Sequence, residues 1–191
     1  MNTASAPVNS ASARYHPVSV LLHWVLGLAL IAIFALGIYM HELPFSPQRL
    51  KLYNWHKWAG ITVLTLSFVR LFWRLLVPPP ALPQSMVDAM PAWQHMAHKL
   101  THVGLYLLFF AVPLVGWAYS SAAGFQVVLF GVLPLPDFVP TSEGLADVLK
   151  EAHEVLAFAM AALVLLHVAG AVKHQVIDRD GLMSRMGFGR S

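Results

Sequence analysis

The chain has no cysteine and few charges. Without thiols it can form no disulfide, no thiolate metal site and no cysteine-ligated iron–sulfur cluster. Charged residues make up 11% of its 191 positions, against about 25% in an ordinary soluble domain. Water is therefore not its main solvent. The net charge is +3 and the isoelectric point about 9.4, but the basic residues are scattered and do not form the basic patch or stripe that marks nucleic-acid binding. What is abundant is apolar surface, with 58% hydrophobic residues and a mean hydropathy of +0.63.

The apolar residues fall in runs long enough to cross a bilayer, which takes roughly 20 residues per helix. They predict an all-α integral membrane four-helix bundle, with helices over about 18–40, 53–77, 98–121 and 149–172. The first run is too long for a signal-peptide core and has no cleavage site after it, so it reads as an uncleaved membrane helix. Residues 1–14 are small and polar and read as a disordered tail. Pro44 and Pro47 mark the first loop, and "VPPPALP" at 77–83 stops the second helix. Pro113 predicts a kink in the third. Within the Gly/Pro-rich connection 122–145, "FQVVLFGVLPLP" is too short to span, so it should lie at the interface or tuck against the bundle. Residues 177–191 form a basic tail, and the sequence shows no internal repeat or second domain.

Four spans place both termini on one side. Arg14, Arg70, Arg74, Lys99, Lys173, Arg179, Arg185 and Arg190 fall on that side, against Arg49, Lys51, Lys57 and Lys150 on the other. The excess predicts cytoplasmic termini in a bacterial inner membrane.

Ten histidines then need an explanation. His16, His41 and His95 fall in loops or at helix edges, and His98 begins a helix; surface roles are expected for them. His153 and His167 stand fourteen residues apart on the fourth helix, about 21 Å along its axis and within about 40° of the same face. His23, near the start of the first helix, matches the depth of His167. His56, near the start of the second, matches His153. Two opposed imidazoles on facing helices can hold a haem iron with both axial positions filled, which leaves electron transfer rather than oxygen chemistry. Zinc would gather more ligands at one point, and Glu154, adjacent to His153, is expected to point elsewhere. His102 lies at the level of His23 and His167, so three imidazoles compete there, and spacing does not choose among them.

Other residues belong to the same frame. Arg70 follows His56 by fourteen residues, which points it inward near His23, where it could pair with a haem propionate or snorkel to the surface. His174 reaches the termini-side interface as a quinone or headgroup contact. Trp24, Trp55, Trp58, Trp73, Trp93 and Trp117 read as aromatic-belt residues, the first three also able to pack on haem. Gly27, Gly37, Gly60, Gly104 and Gly170 would let helices or a flat macrocycle approach closely.

"YHPVSVLLHW", "WHKWAGITVLTLSFVRLFWRL", "HVGLYLLFFAVPLVGW" and "HEVLAFAMAALVLLHVAGAVKH" together resemble the bacterial cytochrome b561 family, the dihaem membrane cytochromes that include the superoxide:ubiquinone oxidoreductases. The resemblance spans roughly Tyr15 to Val176. It implies two haem b groups, one ligated by His23 and His167 and one by His56 and His153, with His102 a non-ligand beside the first. It also implies an oxidoreductase that takes electrons from superoxide outside and delivers them to ubiquinone. Arg49, Lys51 and Lys57 could draw the anion in, although loop solvation explains them equally well. Ala152 departs from a superoxide-oxidising relative, which has an aromatic residue there. A second reading is a membrane-anchor cytochrome serving a partner dehydrogenase or hydrogenase, and a remote third is a haem-free metal or proton carrier.

Overall fold

The computed structural model describes residues 14–81, 88, 91–179 and 181–187. Most of the expected N-terminal tail, residues 1–13, and Arg190 lie outside them. Four long helices carry the fold: α1 (Pro17–Glu42), α2 (Pro47–Leu76), α3 (Ala92–Ala122) and α4 (Glu143–Lys173). Each is long and apolar enough to cross a membrane.

Three of the helices start about six residues before their apolar runs, for a local reason in each case. Ser46 accepts a hydrogen bond from the Arg49 amide (3.2 Å) and Pro47 occupies the first turn of α2, where its fixed φ and missing N–H cost nothing. Ser142 caps α4 through the Leu145 amide, with Glu143 favourably placed in the positive first turn. Pro91 precedes α3. These opening turns are polar, so a search for lipid-crossing runs passes over them. His16 plays the same capping part at α1, its Nδ1 accepting from the Val18 amide at 3.2 Å.

In the packing, α3 lies mainly against α4 and α1 mainly against α2, with α2 also touching α3; α1 and α4 meet little. A small core of Leu26, Leu30, Val63, Leu105, Val112 and Met160 joins the pairs. Large apolar side chains such as Leu28 (64% exposed), Leu107 (67%) and Leu165 (71%) face outward, as expected where lipid tails replace water. The hydroxyls of Thr62, Thr65 and Ser67 return to carbonyls one turn earlier in α2, which satisfies them without water.

The apolar connection after α3 folds as a hairpin of two short strands, β1 (Val128–Leu129) and β2 (Leu133–Pro134), paired antiparallel. Its turn puts Phe130 (φ 53°) and Gly131 (φ 75°) in the left-handed region. The hairpin tucks against α2, where the Trp58 indole N–H donates to the Val128 carbonyl (2.7 Å) and Lys57 Nζ to that of Phe125 (3.1 Å). Beyond α4 the chain makes a π-helical turn (His174–Asp178), reverses at Arg179 (φ 51°) and forms a 3₁₀ turn (Met183–Met186).

Part of the expected basic tail is not a solvated tail. Arg185 is only 2% exposed and donates to the carbonyls of Pro80 (3.1 Å) and Ala81 (2.9 Å), with its guanidinium over the Tyr15 ring. The Trp24 indole N–H donates to the Met186 carbonyl (3.0 Å). The tail thus clasps the α2–α3 connection to the start of α1.

Candidate functional site

Two histidine pairs face each other across the bundle. On the termini side, His23 of α1 and His167 of α4 have ring centroids 6.0 Å apart at 67°. At the far end, His56 of α2 and His153 of α4 have centroids 6.1 Å apart at 83°. A metal–imidazole bond of about 2.0 Å, with about 1.1 Å more from nitrogen to ring centre, separates two trans ligands by roughly 6.2 Å. Both spacings fit one ion between two rings. Among the described residues no group of three or more His, Cys, Asp or Glu is gathered to hold an ion, which suits a two-ligand macrocycle better than zinc.

Local chemistry positions each ring. His153 Nδ1 lies 3.0 Å from the Val112 carbonyl of α3. Donation there fixes the tautomer that leaves Nε2 free to ligate, the usual second-sphere arrangement of a metal-binding histidine. Gly116 makes that approach possible, since a Cβ there would stand 2.8 Å from His153 Cε1. Gly37 does likewise for His56, at 3.2 Å. The far pair lines a cavity of about 350 Å³ whose inner walls include Ile33, Val63, Val112 and Ala157, an apolar slot between the helix pairs.

The termini-side pair has different neighbours. Arg70 of α2 reaches it, Nη2 standing 3.3 Å from His23 Nδ1, while its Nε and Nη1 are buried with no hydrogen-bond partner among the described residues. Buried donors of a permanent cation call for an anion, and a haem carboxylate would supply one. His102 of α3 stands edge-on to His167 at 5.1 Å, and its Nδ1 is 2.8 Å from the His98 carbonyl. A Cβ on Gly27 or Gly170, one turn from His23 and His167 respectively, would touch nothing within 4 Å.

A model of the family described as prokaryotic cytochrome b561 matches residues 14–189. The chain belongs to that family. Among its relatives, "Cytochrome b561 homolog 2" of Escherichia coli (strain K12) is 30% identical over 91% of this chain and 90% of that protein. "Cytochrome b561 homolog 1" of the same strain is 31% identical over 91% and 96%. "Probable superoxide oxidase CybB" of Yersinia pestis is 29% identical over 91% and 95%. As a family member the chain is a haem b-binding membrane cytochrome of electron transfer.

The remaining candidates of this b561 cytochrome divide by position. Lys57 is engaged with the hairpin, Arg49 donates to the Tyr53 hydroxyl (3.3 Å), and Lys51 lies over the Trp55 ring. Lys150, by contrast, lines the far cavity together with His41, Glu42 and Glu154. Glu154 borders this cavity while remaining exposed. Lys150 stands one turn before His153, and that i, i+3 spacing was the available signal. His174 Nδ1 stands 3.1 Å from Asp178 Oδ2, which also binds Lys173 Nζ at 2.6 Å. Of the glycines singled out in the sequence, Gly37 and Gly104 sit at close approaches; a Cβ on Gly104 would stand 2.8 Å from Leu163 Cδ1.

Proposed function

We propose that the chain holds two b haems, one between His23 and His167 and one between His56 and His153, and carries electrons across a bacterial inner membrane to ubiquinone. The observation that carries this reading is the pair of imidazole couples, each near 6 Å between centroids. Bis-histidine haem supplies a one-electron relay with no open position for oxygen. His23, His56, His153 and His167 would serve as axial ligands and Arg70 as the partner of a carboxylate. The charge asymmetry supports cytoplasmic termini, which puts the quinone side at His102 and His174.

Superoxide is the proposed donor at the far end. Each superoxide would give up one electron and leave as oxygen, and two such electrons with two protons convert ubiquinone to ubiquinol. Supporting this choice is a relative named as a probable superoxide oxidase; Lys150 shares the cavity wall with Glu42 and Glu154, and Arg49 and Lys51 lie on the same side, where each cation would attract a small anion locally.

The test is quinone reduction by the purified, haem-loaded protein in liposomes supplied with a superoxide source and no other protein. Ubiquinol formation is expected. Silence until a dehydrogenase is added would replace this reading with the membrane-anchor one.

A further inference from the structure

We propose that Arg70 makes the termini-side pair the preferred seat of the electron, giving the relay a built-in direction from the far pair toward the termini. This rests on the reading that each pair holds a haem. The two pairs have similar spacing, but their surroundings differ in sign. Beside His23 stands a guanidinium with two buried nitrogens that have no partner among the described residues. Beside His153 stands a carbonyl oxygen, that of Val112.

Both differences act in the same direction. A fixed positive charge favours the less positive, reduced state of a nearby iron. At a separation of about 8 Å and an effective dielectric of about 20, one charge biases a one-electron equilibrium by tenfold or more. A carbonyl accepting the Nδ1 proton makes an imidazole a stronger donor to its metal, which favours the oxidised state at the far pair. A guanidinium has only donors, so Arg70 cannot keep donating to His23 Nδ1 once Nε2 binds iron and the proton sits on Nδ1. Its fork then turns to a carboxylate and offsets that negative charge, which would otherwise favour the oxidised state in this layer. The transfer moves one electron, oxidising the far site and reducing the termini-side site, with no bond made or broken.

The experiment is a spectroelectrochemical measurement of midpoint potentials on haem-loaded protein. His56→Ala protein retains the termini-side haem and His23→Ala protein the far one. The first should show the higher midpoint by at least the 59 mV that equals tenfold for one electron, and equal or reversed order overturns the proposal. In Arg70→Gln protein the higher of the two midpoints should fall by a similar amount while the lower one stays. Two unmoved midpoints would also overturn it. If Arg70→Gln costs the protein a haem, the first comparison, which leaves Arg70 in place, decides alone. A wild-type chain that takes up no haem sinks the underlying reading; a two-haem chain with no such difference sinks only this inference.

Discussion

At the scale of single residues, the far pair depends on what α3 lacks. Gly116 gives His153 room to reach the Val112 carbonyl, and a methyl group there would come within 2.8 Å of the ring. Gly116→Ala should push His153 off its carbonyl, cost about 1–3 kcal/mol by overpacking and remove the far haem selectively. A haem-to-protein ratio and a thermal melt in detergent check this, and an unchanged ratio would show that the ring has another way to settle. The histidines themselves were legible in the sequence, because a fourteen-residue interval on one helix fixes both face and depth. Gly116 was not, because a glycine's use depends on what approaches it, and His153 approaches from another helix.

At the scale of elements, hydropathy located all four spans but missed the polar first turns of α2, α3 and α4, which caps at Ser46 and Ser142 and the prolines Pro47 and Pro91 set. The C-terminal clasp had no sequence signature at all. Arg185 looks like one more basic residue of a positive tail, yet it is buried on two carbonyls about a hundred positions earlier, a long-range pairing that no local pattern encodes. Hydrogen bonds from a charged donor contribute about 1.5–3 kcal/mol each. Arg185→Ala should therefore free the segment after Arg179, seen as faster cleavage there in limited proteolysis, while leaving both haems in place. Unchanged protease resistance would mean that Trp24 and its contact with Met186 suffice to hold the segment.

At the scale of the whole molecule, two helix pairs joined by a small core leave α1 and α4 little in contact with each other, although His23 and His167 come from those two helices. Such a bundle has an incomplete interior by itself, and a macrocycle held at two heights would complete it while linking the membrane's two faces. The decisive measurement is the haem content of the purified chain, by spectrum and by mole ratio, in wild type and in His23→Ala, His56→Ala, His153→Ala and His167→Ala. Two low-spin b haems falling to one in every variant is the predicted result. A chain that stays colourless when supplied with haem, or any variant that keeps the full complement, would contradict it.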